Sequence, residues 1–115
     1  MHALSLLALL LPFVAADKHD QCDCMSWTQE TGWIHNADLT HWVCHVHYME
    51  VSYGSRFDKN TGRCVADGDW KISGQDWEDA CKNEGHDGYL ILDDQGDHRD
   101  LTSHTVGAAA GDCKY

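Results

Sequence analysis

Gln21 to Thr28 reads as a short strand, with Asp-rich sequence before it and Thr/Gly-rich sequence after it. Side chains two apart on a strand share a face, so Cys22 and Cys24 both point at whatever covers the sheet and can tether two different elements. Thr31-Gly32 and the run His35-Asn36-Ala37-Asp38 read as loop. Leu39, Trp42, Val43, Val46, Met49 and Tyr53 then recur at three-or-four spacing and predict a helix over about Leu39 to Tyr53. Asp38 or Thr40 caps it, Gly54 closes it, and Cys44 and Val51 sit on the flank of its apolar face. Arg56-Phe57-Asp58 and Arg63-Cys64-Val65 flank Lys59-Asn60-Thr61-Gly62, the turn of an expected hairpin, and Ala66 to Asp69 breaks its second strand. A second helix follows from Gly74 or Gln75 to about Asn83, capped by Ser73 and stopped by Gly85, with Ile72, Trp77, Ala80 and Cys81 inward.

Tyr89-Leu90-Ile91-Leu92 gives the strongest strand signal and ends at Asp93-Asp94-Gln95-Gly96. Leu101 to Val106 reads as a short further strand, and Gly107 to Gly111 as extended or loose. The order strand, helix, strand, strand, helix, strand predicts an α+β fold. It lays two helices on one face of a four-stranded antiparallel sheet, a split βαβ arrangement (βαββαβ) stapled by disulfides. The runner-up is an irregular disulfide-rich fold whose helices pack on each other.

The first sixteen residues differ in kind. Ala3 to Val14 is a leucine-rich apolar run, about as long as a signal-peptide core and short of the roughly 20 residues a membrane helix needs. Val14-Ala15-Ala16 has the small residues of a cleavage site, so residues 1–16 are expected to be a signal peptide. Residues 17–115 then form one cysteine-rich secreted domain with a core of about 21–93 and a C-terminal extension of 94–115. Every Asp, Glu, Lys and Arg lies after Ala16, so cleavage leaves the net charge at -11. That charge opposes nucleic acid and anionic membrane surfaces as partners. No second apolar run approaches membrane length, so no stable membrane insertion is expected, and the protein is expected to be a monomer.

Cys22, Cys24, Cys44, Cys64, Cys81 and Cys113 are an even set in a small secreted chain, which predicts three disulfides among 15 connectivities. Cys22-Asp23-Cys24 lacks the two-residue spacing of zinc knuckles and thioredoxin motifs, which favours structure over zinc or redox chemistry. A secretory leader, the early Cys22-x-Cys24 pair, a Thr-led helix with Cys44, a hairpin with Cys64, a helix with Cys81 and a final strand make one pattern. It resembles the small secreted cysteine-rich effectors of fungi, and among them the killer-toxin-like fold family, over roughly Gln21 to Leu92. The resemblance implies an extracellular protein that acts on a host or rival cell without catalysis, through a protein or glycan partner.

Candidate chemistry is sparse. His41 and His45 lie four apart as in metal-binding helices, on a face with Tyr48 and Ser52 that is expected to be solvated; no metal or cofactor is expected. The acidic runs Asp67-Gly68-Asp69, Asp76 to Asp79 and Asp93 to Asp97 do not match an EF-hand and are expected to be solvated surface. Eight of the nine histidines follow the leader, so partner affinity is expected to vary between about pH 5 and 7.5. Glu50, His47, His86, Arg63 and Arg99 supply the residue types of a small secreted ribonuclease, the enzyme alternative, but no Lys/Arg cluster offsets the charge, and no enzyme is expected. Five tryptophans exceed what so small a core needs. Trp33 and Trp70, in expected loops, are the candidate interaction residues, and they also support a carbohydrate-binding alternative.

Overall fold

The computed structural model describes residues 18–49, 55–67, 70–97 and 100–114. Residues 1–17, which hold the expected signal peptide, and Glu50 to Gly54, Gly68-Asp69, His98-Arg99 and Tyr115 lie outside them. The structure is α+β, as expected from the element pattern. Strands β1 (Lys18–His19), β2 (Gln21–Thr28) and β3 (Gly32–His35) lead into helix α1 (Ala37–Val43), which continues as a π-helical stretch, Cys44–Met49. Then come β4 (Ser55–Asp58), β5 (Arg63–Ala66), β6 (Ile72–Ser73), helix α2 (Gly74–Asp87) and β7 (Ala108–Lys114).

The main sheet is antiparallel and has five strands, centred on β2. One edge of β2 pairs with β7 from Gln21↔Lys114 to Trp27↔Ala108. Its other edge pairs with β5 at Gln21 and Cys22, then with β3 from Met25 to Thr28, and β4 lies outside β5. A two-stranded ribbon, β1 with β6, stands apart. Cys22, Cys24 and Ser26 are buried on one face of β2, and Cys64 faces Cys22 across β5. Bridges Cys24–Cys81 and Cys44–Cys64 tie α2 and the continuation of α1 to that face, so both helices cover it. Cys22–Cys113 ties β7 to β2, and all six cysteines are bridged. Trp77, Leu39, Val43, Ile72 and Tyr48 fill the core between the layers, and the Trp77 indole donates to the Asp23 carbonyl at 2.9 Å.

The structure corrects several local expectations. Trp33 to His35 is strand rather than loop. Its side chains are all exposed, so no inward–outward alternation marks it, and the pairing with β2 makes it extended. The cap of α1 is Asn36, whose Oδ1 accepts from the Leu39 N–H at 2.9 Å. Thr40 is buried instead, its hydroxyl donating to the Asn36 carbonyl and accepting the Cys24 N–H. Tyr48, placed by a 3.6-residue wheel on the solvated face, is 7% exposed. In a π-helix the backbone bonds reach five residues on, so Val43 and Tyr48 come to share the inner side.

Helix α2 passes through Gly85 and ends at Gly88, whose φ of +118° favours glycine. Gly85 is needed for a close crossing: a Cβ there would lie 2.9 Å from Val106 Cγ2 and 3.2 Å from Ala109 Cβ. Tyr89 to Leu92 is not a strand, and Leu101 to Val106 is not one either. Within these two segments only Tyr89 and His104 pair, by mutual backbone hydrogen bonds of 2.9 and 2.8 Å. The strand they were expected to supply is β7, built from the small residues after Gly107. The sheet therefore has five strands where the element pattern predicts four.

Candidate functional site

Among the described residues no helix covers the other face of the main sheet. Asp23, Met25 and Trp27 alternate with the buried cysteines, and register places His35 beside Met25 and Trp33 beside Trp27. The β2–β3 turn is fixed by the Thr31 N–H, which donates to Thr28 Oγ1 at 3.2 Å, and by Gly32 at φ +66°. It presents two indoles directly opposite each other, Trp27 39% and Trp33 53% exposed, with Ile34 exposed on the reverse of the hairpin. Trp27 packs against Gly107, where a Cβ would stand 3.0 Å from the Trp27 carbonyl oxygen and 3.6 Å from its ring.

Beside the indoles sits a charged cluster. Asp23 is 1% exposed, although its face carries no helix. Arg63 of β5 reaches one carboxylate oxygen at 3.0 Å, and His35 Nδ1 lies 2.5 Å from the other. Arg63 also approaches Asp112 of β7 at 3.9 Å, so one guanidinium links strands on both sides of β2. His35 turns its Nε2 toward Gly62, where a side chain would collide with it. The cluster therefore locks β2, β3, β5 and the β4–β5 turn together.

Among the expected interaction residues, Trp33 is on this surface and Trp70 is not. Trp70 is half-buried and stacks edge-on against Tyr48 at 5.7 Å, closing the rim of the core. Trp27 was missed, although two-residue alternation from Cys22 and Cys24 places it on the outer face beside a neighbouring strand.

His41 and His45 are half-buried rather than solvated. His41 stacks on Phe57 with centroids 4.1 Å apart, and both histidines line a cleft of about 470 Å³ with Arg56, Lys59 and Asp94. Burial, and then the neighbouring His45, hold the His41 imidazole below its usual pKa. Among the described residues no three His, Cys, Asp or Glu side chains converge as metal ligands do. The enzyme-type residues lie apart: His47 pairs with Glu84 at 3.1 Å, His86 stands exposed beside Asp87, and Arg63 is held by Asp23. Glu50 and Arg99 lie outside the described residues. No described helix is long and apolar enough to cross a membrane.

Burial, reinforced by the negative charge of Asp76, pushes the Tyr48 phenol up to about 12. An unfolded phenol ionises near pH 10. The unfolded chain therefore releases a proton that the folded chain keeps, and stability present below pH 10 is lost as pH rises toward 12. Tyr48→Phe is expected to flatten the fall of the urea midpoint between pH 9.5 and 11.5. An unchanged slope would assign that fall to other groups.

Comparison with protein-family profiles, with curated proteins and with solved structures finds no match to this chain.

Proposed function

We propose that this protein is a secreted, non-catalytic effector or toxin-like protein that binds a host or competitor macromolecule through the β2–β3 hairpin. The observation that carries the reading is the Trp27–Trp33 pair, two exposed indoles in direct register on the sheet face that no described helix covers, with Ile34 on the same hairpin. Indoles bury much apolar area at low entropic cost and dominate the energetics of many interfaces. The neighbouring Asp23–Arg63–His35 cluster, with its carboxylate buried, supports the reading, because it ties together the strands that carry the two rings. Three disulfides in a chain this small suit an oxidising, extracellular compartment, in keeping with the leader and the killer-toxin-like resemblance.

The same pair favours one second reading, a carbohydrate-binding module, since exposed indoles also stack on sugar rings. A glycan array and a binding assay on intact host and competitor cells separate the two. In whichever system binds, Trp33→Ala is expected to weaken binding roughly thirtyfold, a loss of about 2 kcal/mol, with the thermal midpoint unchanged. Full retention of binding by a Trp27→Ala/Trp33→Ala double variant would remove the hairpin from the function.

A further inference from the structure

The three bridges differ in what can reach them. Cys22, Cys24, Cys44, Cys64 and Cys81 are all 0% exposed, so both sulfurs of Cys24–Cys81 and of Cys44–Cys64 are sealed in the core. Cys113 is the one bridged residue that is partly exposed. It stands directly opposite Cys22 in the register, so its side chain lies on the face of the sheet that α2 covers. There it lines a hollow of about 200 Å³, walled by His19 of β1 and by Gly74, Gln75 and Glu78 in the first turns of α2. Gly111 shares that face two residues earlier and has no side chain to close the hollow.

We infer that Cys113 is a thiol-exchange site, at which a small thiol enters this hollow, opens Cys22–Cys113 and is held as a mixed disulfide. Exchange depends on a thiolate gaining access to one of the two sulfurs, and burial leaves only this one within reach. The reaction balances with thiol as its only reactant. The thiolate attacks Cys113 Sγ, the new S–S bond forms as the bond to Cys22 breaks, and Cys22 leaves with the electron pair as a thiolate. A second thiolate attacking the bound thiol's own sulfur completes a two-electron reduction, releasing the small disulfide and the Cys113 thiolate. Cys22 can instead attack Cys113 Sγ, expel the small thiol and close the bridge again.

The ladder makes the exchange local and reversible. All seven residues of β7 pair with β2 through the backbone, so opening the bridge leaves the strand in place and Cys22 opposite Cys113. That proximity gives Cys22 a high effective concentration as the resolving thiol. In oxidising surroundings the bridge is therefore closed, and where free thiols are abundant it opens and takes one up. The inference uses no residue of the aromatic hairpin and stands whatever that hairpin binds.

The test exposes the intact, fully bridged protein to mercaptoethanol without denaturant, followed by alkylation and peptide mapping. Cys22 and Cys113 are expected to be labelled together, at a thiol concentration roughly tenfold or more below the one that labels any other cysteine. The trapped mercaptoethanol adduct is expected on Cys113 and not on Cys22, and removing the thiol is expected to restore the bridge without scrambling. Two variants read the same site without reduction. Cys22→Ala leaves a Cys113 thiol expected to react with iodoacetamide at least roughly tenfold faster than the buried Cys22 thiol of Cys113→Ala. Should either variant fail to fold, the map of the unaltered chain decides alone. Opening of all three bridges at one thiol concentration, an adduct on Cys22, or labelling of this pair only in urea overturns the inference. Equal reactivity of the two folded variants overturns it as well.

Discussion

Asp23→Ala is expected to destabilise the protein by about 3–5 kcal/mol, read as a lowered urea midpoint with little change in slope. The carboxylate is 1% exposed and holds Arg63, itself only 17% exposed, at 3.0 Å. Its removal leaves a guanidinium in a poorly hydrated site with only Asp112, at 3.9 Å, to answer it, and leaves His35 without the partner on its Nδ1. The cost is that of stranding a buried charge, so it differs from the net worth of the pair. Arg63→Met alone is expected to be costly for the mirror-image reason, and Asp23→Leu/Arg63→Met together to recover most of the loss. If the double variant shows the sum of the two single losses, the two residues do not interact and the cluster is not what locks these strands. Because the cluster ties down the strands that carry Trp27 and Trp33, Asp23→Ala is also expected to weaken partner binding through hairpin disorder, which Trp33→Ala does with the fold intact.

The elements legible in the sequence are those with local causes. The bounds of β2, the Asn60-Thr61-Gly62 turn with Gly62 at φ +72°, and the Ser73 cap all rest on neighbours within a few residues. The elements that were not legible depend on distant ones. Tyr89 to Leu92 has the stronger strand composition and Ala108 to Lys114 almost none, yet β7 takes the place beside β2. Cys113 reaches Cys22, and only small residues allow Gly111 to pass 2.9 Å, measured from a Cβ built on it, under the backbone of Glu78. Tyr89 is instead buried as a single side chain whose hydroxyl accepts from Asn36 at 3.3 Å. The π-helical stretch defeats any wheel drawn at 3.6 residues per turn, which is why Tyr48 was placed in water. The candidate site divides the same way. Trp33 was legible as an aromatic beside turn formers. Asp23 between two cysteines gives no sign of the arginine 40 positions on that neutralises it, since their meeting requires β5 to lie against β2.

Connectivity was open among the six cysteines, and the pairing found makes unequal demands on the fold. Cys24 and Cys81 are both fully buried and join the central strand to α2 across 57 residues. In the chain-entropy account a loop of that length contributes about 4 kcal/mol by restricting the unfolded chain. Cys24→Ala/Cys81→Ala is expected to lose about that much, with a further few tenths from the vacated volume, and to lower the thermal midpoint by more than 15 °C on an order-of-magnitude conversion. Cys22–Cys113 closes a longer loop of 91 residues, so the entropic account alone ranks it above Cys24–Cys81. The structure reverses that order. Seven residues of β7 pair with β2 and pack under α2, so the contacts that close the longer loop survive without the covalent link. The Cys24–Cys81 bridge joins two layers through side chains alone. Cys22→Ala/Cys113→Ala is therefore expected to cost less than Cys24→Ala/Cys81→Ala in parallel urea melts, and its hydrogen exchange to rise chiefly in β7. A larger loss from the Cys22–Cys113 pair would mean that loop entropy, rather than contact between sheet and helix, sets the stability of this fold.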